Sequence, residues 1–164
     1  MKVKEVIDKC YELLSIEKTE ENTDILLKCY NITENELATS YIPLITTDCT
    51  TLDGNKIEYK NLEKNAYRII EVKDYHNEKL NYTLYHTYME VKKRFEGVLY
   101  YIKYSYLPKE KTIKDNCEYS AGKARLLIFG TCAEYCLSQL NFEEAKCWHD
   151  KYIFSLKTTS RRDI

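Results

Sequence analysis

The sequence has little glycine and proline, with 4 and 2 of its 164 residues. Phosphate-binding loops and tight turns depend on glycine because it adopts backbone conformations that a side chain disfavours. Neither G-x-G-x-x-G nor G-x-x-x-x-G-K-[ST] occurs in the chain, and H-E-x-x-H is also missing. These motifs mark the common nucleotide-binding sites and zinc proteases. The sequence therefore predicts a protein that is not an enzyme and needs no cofactor.

The chain also has no excess of charge of one sign. The chain has 25 basic and 26 acidic residues, a formal net charge of −1. Nucleic-acid-binding domains are usually strongly basic. "YYIKYSY" would suit base stacking, but it contains a single lysine. The charged N-terminal segment "MKVKEVIDKC" has no signal-peptide pattern, and no apolar run approaches the roughly 20 residues of a membrane helix. We therefore expect a cytosolic protein with no membrane segment.

Paired cysteine motifs are the third absence. The cysteines number seven, and none is spaced as C-x-x-C. An odd number without a secretion signal predicts reduced thiols rather than a disulfide framework. Free cysteines are commonly buried as small apolar residues. The seven are Cys10, Cys29, Cys49, Cys117, Cys132, Cys136 and Cys147.

Tyrosine is abundant, with 16 residues against four phenylalanines and one tryptophan. Tyrosine suits half-buried sheets and protein interfaces because it combines apolar area with a hydroxyl that can stay in water. The chain is 44% hydrophobic and 31% charged, which is typical of a globular protein. Its length predicts one domain.

Residues 1–41 have the periodicity of two helices. Val3, Val6, Ile7 and Cys10 lie at helical spacing in the first, and a polar joint, "EKTEENTD", follows it. Apolar residues from Leu26 to Tyr41 then recur every three or four positions. Pro43 is expected to end this second helix.

Residues 42–107 change to the alternation of β-strands. Tyr100, Ile102 and Tyr104 are expected on one face of the last strand, with the residues between them on the other. Leu80, Tyr82, Leu84 and His86 are expected to share the face of an earlier strand. The dipeptide Asp53-Gly54 predicts a hairpin. Together these patterns predict a Tyr-rich antiparallel sheet inserted between helices.

Residues 118–158 predict a helical hairpin, followed by a basic tail at 159–164. The first helix, in "SAGKARLLIFGTCAEYCLSQL", is apolar on nearly every side, as expected at the centre of a bundle. A turn at Asn141 leads to the last helix, whose start resembles a capping box with Glu144. The stripe expected to face the core is Phe142, Ala145, His149, Tyr152 and Leu156, with Trp148 flanking it. The predicted class is α+β: two N-terminal and two C-terminal helices with the inserted sheet.

The cluster "CWHD" at 147–150 invites a metal or thiol hypothesis. Cys147 and His149 are two residues apart, so they point in different directions on a helix and do not chelate one ion. Cys132 and Cys136 with a ligand from the next helix stay open as an alternative zinc set. The pattern favours packing, and we predict no catalytic, cofactor-binding or metal-ligating residue.

The order of elements resembles head–tail connector, or adaptor, proteins of tailed phages and prophages of low-GC Gram-positive bacteria. The residues that carry the resemblance are "YSYLPKE" and "GTCAEYCLSQLNFEEAKCWHDKY", within residues 104–156. The resemblance implies a structural protein without catalysis that forms a ring between the portal and the next neck or tail protein. DNA would pass through the ring without specific binding. The protein would be found in the host cytoplasm during assembly and then in the virion neck.

In that role, exposed sheet tyrosines, the polar loop before the helical hairpin and the basic tail would contact neighbours. The alternative function is a cytosolic protein-binding or regulatory module that uses the Tyr-rich sheet face. In either case the expected interface residues are Tyr101, Lys109, Lys111, Lys114, Lys157, Arg161 and Arg162.

Overall fold

The computed structural model describes residues 1–51, 55–92 and 99–160. Within them the chain forms four α-helices and six β-strands, so the predicted α+β class is confirmed. Two compact units contain these elements: a helical unit of residues 1–37 and 110–164, and a sheet unit of residues 38–109. The helices are α1 (Val3–Leu14), α2 (Glu20–Glu36), α3 (Ala124–Ser138) and α4 (Phe142–Ser160). The strands are β1 (Leu44–Thr51), β2 (Lys56–Glu58), β3 (Ala66–Lys73), β4 (Tyr82–Leu84), β5 (Tyr88–Val91) and β6 (Leu99–Tyr106).

Helix α2 begins earlier than its apolar pattern predicted. The Thr19 side chain accepts a 3.1 Å hydrogen bond from the Asn22 backbone N–H, which caps the first turn. Glu20 and Glu21 follow in that turn, where negative charge favours the helix dipole. The segment predicted as a polar joint therefore contains the start of the helix. A π-helical turn, Leu37–Tyr41, continues from α2 and ends before Pro43, as expected.

Helix α3 is the central helix of its unit and packs against α1, α2 and α4. Gly130 lies at the contact of α3 with α2 and α4. A Cβ added there would overlap Cγ2 of Thr33 and lie 3.3 Å from the Tyr152 ring. The absence of a side chain at Gly130 thus allows α2 and α4 to pack tightly on α3.

The predicted core stripe of α4 was wrong in part. Ala145, Trp148 and Tyr152 are buried, whereas Phe142 and His149 are exposed. The predicted and the observed stripes share Ala145 and Tyr152, and both satisfy helical spacing. They differ in whether Trp148, or instead Phe142 and His149, faces the core. Trp148 faces the core because its large ring packs beside Phe129, with 5.9 Å between the ring centroids.

The turn between α3 and α4 is a Schellman motif. The Asn141 N–H donates to the Cys136 carbonyl at 2.9 Å, and the Leu140 N–H donates to the Leu137 carbonyl at 3.0 Å. Leu140 has a φ of 59°, in the left-handed region that favours glycine. Asn141 then begins α4, since its side chain donates to Glu144 at 2.8 Å and accepts from the Glu144 N–H at 3.4 Å.

The strands form two three-stranded antiparallel sheets with the orders β1-β6-β3 and β2-β5-β4. Asp53 and Gly54 lie outside the described residues. The strands on either side of them, β1 and β2, belong to different sheets, so the expected pairing across that dipeptide was wrong. Both sheets contribute to one buried core that includes Ile57, Met89, Ile102 and Tyr104.

Strand β4 is shorter than predicted. It ends at Leu84, and His86 is exposed in the turn that leads to β5. The expected shared face from Leu80 to His86 was therefore wrong, because the chain leaves the sheet to form this turn. His76 lies in another exposed turn, in which its backbone N–H donates to Asp74 Oδ1 at 2.9 Å.

Candidate protein-interaction surface

One face of the sheet β1-β6-β3 is buried and the other is exposed. Along the central strand β6, Tyr100, Ile102 and Tyr104 point into the core, while Leu99, Tyr101 and Lys103 are exposed. This is the alternation that the sequence predicted for β6, and it places the predicted interface residue Tyr101 on the exposed side. The Tyr101 side chain is 42% accessible.

The strands on either side complete this exposed side, which we call the outer face. Cys49 and Lys73 are the register partners of Tyr101, and Thr47 and Glu71 are those of Lys103. Ile45 extends the face along β1 and is 52% exposed. The outer face consists of Ile45, Thr47, Cys49, Glu71, Lys73, Leu99, Tyr101 and Lys103.

Charge on the outer face is concentrated on its β3 side. Glu71 forms ion pairs with Lys79 at 2.8 Å and with Lys73 at 3.1 Å. The hydrogen bonds from Lys79 and then Lys73 lower the pKa of the Glu71 carboxyl. The β1 side carries apolar and hydroxyl side chains instead. On the central strand β6, Leu99 and Tyr101 form an apolar centre, and Lys103 lies next to it between Thr47 and Glu71.

Beneath the outer face, a polar network holds β1 against β6. The Tyr104 hydroxyl donates to Asp48 Oδ2 at 2.7 Å and accepts from the Lys64 N–H at 3.1 Å. Asp48 Oδ2 also accepts from the Glu63 N–H at 2.6 Å. Burial, and secondly the bond to Asp48, raises the pKa of Tyr104 to about 12. The network links the segment 63–64 to both strands beneath the outer face.

A buried acid in the helical unit was missed in the sequence analysis. Glu34 is fully buried, and its Oε1 accepts from the Tyr30 hydroxyl at 2.7 Å and from the Glu118 N–H at 2.9 Å. Its Oε2 is buried and has no hydrogen-bond partner among the described residues. Burial raises the pKa of the Glu34 carboxyl, an effect opposed by its two hydrogen bonds and by the nearby charge of Lys111. This arrangement holds the segment around Glu118 against α2.

The residues predicted as an interface do not form one surface of either unit. Tyr101 and Lys109 belong to the sheet unit, whereas Lys111, Lys114 and Lys157 belong to the helical unit. Arg161 and Arg162 lie outside the described residues. Lys109, Lys114 and Lys157 are exposed.

Lys111 differs from the other predicted lysines. Its side chain is only 13% exposed and forms a 2.5 Å ion pair with Glu118. Its backbone N–H donates to Asn31 Oδ1 at 2.7 Å, and its carbonyl accepts from Asn31 Nδ2 at 3.1 Å. The polar loop before the helical hairpin, which was expected to contact neighbours, is therefore anchored to α2 at this residue.

The cysteines do not assemble into a ligand set in the described structure. Cys132 and Cys136 are buried in α3, whereas Cys147 is exposed on α4. Within residues 1–51, 55–92 and 99–160, no group of three or more His, Cys, Asp or Glu side chains is placed to hold a metal ion. Burial raises the pKa of both Cys29 and Cys136 to about 11.

None of the helices in the described ranges is long and apolar enough to cross a membrane. Comparison with known proteins gave no family model and no curated protein that matches this sequence.

Proposed function

We propose that this chain is a structural assembly protein whose outer face binds a neighbouring protein subunit. The specific role proposed is that of a head–tail connector of a tailed phage or prophage, in which copies form a ring between the portal and the next neck or tail protein. DNA would pass through that ring without specific binding. The protein would act first in the host cytoplasm and then in the virion neck.

The observation that supports this proposal is the exposed apolar centre of the outer face. Leu99 and Tyr101 are neighbours on the exposed side of β6 and are 48% and 42% exposed. Ile45, which is 52% exposed, lies further along β1 opposite Ser105, with the pair Thr47 and Lys103 between it and Tyr101. Aromatic residues are enriched at the centres of protein interfaces because they contribute large contact area with few rotatable bonds. The hydrogen bonds around Tyr104 hold β1 and β6 together beneath this face, which would keep the loss of conformational freedom on binding small.

The charged margin of the face would set orientation more than affinity. Glu71 is held by Lys73 and Lys79, and Lys103 lies opposite it in register. Charges at the rim of an interface mainly govern association rate and the choice of partner. A neighbour would therefore meet the apolar side chains of Leu99 and Tyr101 on β6 and a net positive margin near β3, where Glu71 is the one carboxylate among these three lysines.

A second candidate function is a cytosolic protein-binding or regulatory module that uses the same face. The same apolar centre favours it. The two functions differ in the partner, because a connector associates with copies of itself and with virion proteins. A regulatory module would bind a cellular protein that is not part of a particle.

The test is to induce the source strain, purify the tailed particles and search for this protein by mass spectrometry and antibody labelling. Several copies at the neck are expected. The same strain carrying Tyr101→Glu should give particles that lack the protein or fail to join head and tail. Tyr75→Glu is the matched control, since Tyr75 is 51% exposed but lies in the turn after β3. Intact particles without the protein would contradict the connector role and favour the regulatory module.

A further inference from the structure

A groove of about 680 Å³ lies between the N-terminal end of α3 and the C-terminal half of α4. Its apolar walls are Phe129 and Phe154, and the Phe154 side chain is 69% exposed. Its volume is in the range of sites that bury large side chains or small ligands. We call this site the hairpin groove and define it by Arg125, Phe129, Asp150, Lys151 and Phe154.

The hairpin groove has a positive margin. Arg125 is exposed and forms no ion pair within the described part of the chain. Lys151 lies 3.9 Å above the centre of the Trp148 ring, at the same margin. Asp150 is the single acidic side chain among the lining residues of the groove described here. An occupant with one or more carboxylates beside apolar side chains would complement these charges.

The opposite end of the same helical hairpin presents such a surface. Leu137, Leu140 and Phe142 are 47%, 74% and 62% exposed around the turn between α3 and α4. We call these three residues, with Glu143, the hairpin tip. Glu143 is exposed and has no ion-pair partner in the described ranges. Glu144 beside it is held by Asn141 and by the Trp148 indole N–H, at 2.8 and 3.4 Å.

The backbone of the tip adds an independent observation. Leu140 occupies the left-handed position of the Schellman motif, which glycine occupies at least strain. Non-glycine residues in the left-handed region cluster at functional sites. Leu140 thus exposes an apolar side chain at a backbone position where glycine would cost less strain.

A copy of the chain cannot insert its own tip into its own groove. Phe142 and Phe154 are twelve positions apart on one helix, a separation of about 18 Å along the axis at 1.5 Å per residue. We propose that the hairpin tip of one copy docks in the hairpin groove of a second copy, with Leu140 and Phe142 beside Phe129 and Phe154, and Glu143 facing Arg125.

This contact is heterologous, because each copy uses a different surface from its neighbour. A heterologous contact does not stop at a dimer: it closes into a ring or continues as a filament. The inference goes beyond the outer face and rests on the proposed function only in taking a second copy as the partner. The two surfaces belong to different units and can be tested separately.

The first experiment is sedimentation velocity of the full chain over a concentration series. The wild-type protein is expected to form species larger than a dimer. Arg125→Glu and Glu143→Arg should each weaken self-association by about tenfold or more, because each places like charges at the contact. The double variant Arg125→Glu/Glu143→Arg should recover most of the affinity, since the pair is restored with its signs exchanged. A species that stops at a dimer, or a double variant as weak as the singles, would overturn the proposal.

The second experiment separates association from folding. Leu140→Gly is expected to raise the thermal midpoint by removing the strained position and, at the same time, to weaken self-association. Ile32→Ala is the matched control because Ile32 is an exposed apolar residue on α2. It should leave association unchanged. A Leu140→Gly protein that associates like the wild type would contradict a contact through the tip.

The third experiment compares Tyr101→Glu with Arg125→Glu and distinguishes this inference from the proposed function. If Tyr101→Glu abolishes assembly and Arg125→Glu does not, copies associate through the outer face and the groove proposal fails alone. If Arg125→Glu abolishes assembly and Tyr101→Glu does not, the groove contact is supported independently of the outer face. A wild-type chain that stays monomeric at every concentration would overturn the groove contact.

Discussion

The hydroxyl of Tyr30 donates a 2.7 Å hydrogen bond to Oε1 of Glu34, one helical turn further along α2. The same oxygen accepts the backbone N–H of Glu118, which is 84 residues away in sequence. One carboxyl oxygen thus joins a helix to a distant segment, while the other oxygen is buried without a hydrogen bond to any described residue. The protonation state of Glu34 should therefore affect the stability of the helical unit.

Glu34→Gln should change how stability depends on pH. Burial raises the folded-state pKa of Glu34 above its unfolded value. The folded state then binds the proton more tightly, so this group favours folding below the unfolded pKa and loses that effect as pH rises through the folded pKa. Glutamine keeps the Oε1 acceptor without the buried charge. The stability of the variant relative to wild type should therefore increase between pH 4 and pH 8, measured by urea unfolding. Asp24→Asn, at an exposed position of α2, is the control and should show no such trend.

Gly130→Ala should destabilise the helical unit by about 1–3 kcal/mol, the usual effect of overpacking a core. The added Cβ would overlap Cγ2 of Thr33, and alanine's higher helix propensity offsets only part of this effect. Thr33→Ser removes that methyl group, so the double variant should recover stability in chemical denaturation. Gly122→Ala is the control, because its Cβ would meet only Ser120 Oγ at 3.7 Å. A Gly130→Ala protein as stable as wild type would show that α2 and α3 can separate there without loss.

Tyr104→Phe should lower the free energy of unfolding by about 1–3 kcal/mol. The change leaves the Lys64 N–H without its acceptor and removes a donor from Asp48, and unpaired buried groups are costly. Tyr101→Phe makes the same chemical change on the outer face of the same strand. It should have almost no effect on stability, as followed by circular dichroism during thermal unfolding. Equal effects of the two variants would mean that the buried network does not stabilise the sheet.

Trp148→Ala should lower the free energy of unfolding by about 3–5 kcal/mol, as expected for a large aromatic side chain removed from a core. Trp148 is 7% exposed and packs beside Phe129. Phe154→Ala removes another aromatic ring from the same helix, but one that is mainly exposed. Guanidinium melts should show a much smaller loss for Phe154→Ala. A small loss for Trp148→Ala would contradict its place in the core.

Leu140→Gly should raise the free energy of unfolding by about 1 kcal/mol, because non-glycine residues in the left-handed region cost roughly 1–2 kcal/mol. The exposed Leu140 side chain contributes little apolar burial that would be lost. Asn141→Ala, at the adjacent residue, should have the opposite effect by removing the cap of α4. Urea unfolding at a concentration where the protein is monomeric measures both changes. A destabilised Leu140→Gly protein would show that Leu140 packs against its own chain.

The features that the sequence predicted are those that follow local periodicity. In β6, Tyr100 and Tyr101 take opposite faces because a strand alternates with a period of two. In α4, the stripe through Phe142 and the observed one through Trp148 both fit a helix, so periodicity alone does not choose between them. Packing against Phe129 makes that choice, and Phe129 lies on another helix.

The features that depend on distant residues were not predictable in this way. Glu34 has the appearance of an ordinary surface residue of a helix until the Glu118 N–H is placed beside it. The order β1-β6-β3 likewise joins strands that are far apart in the chain, and no local pattern specifies their partners. The hairpin tip could have been suspected from the apolar residues around Asn141, but its strained backbone at Leu140 requires coordinates.

The antiparallel pairing of β1 with β6 also bears on the order in which the protein folds. The helical unit is built from residues 1–37 and 110–164, so its two parts are separated by the whole sheet unit. Bringing these two parts together closes a loop of the whole sheet unit, which costs conformational entropy. Leu44 begins β1 and Tyr106 ends β6, and these two residues are register partners. Once the sheet forms, it therefore acts as a short connection between α2 and the segment that leads to α3. Formation of the sheet unit should therefore favour docking of the helices, and variants that weaken the pairing of β1 with β6 should slow that docking.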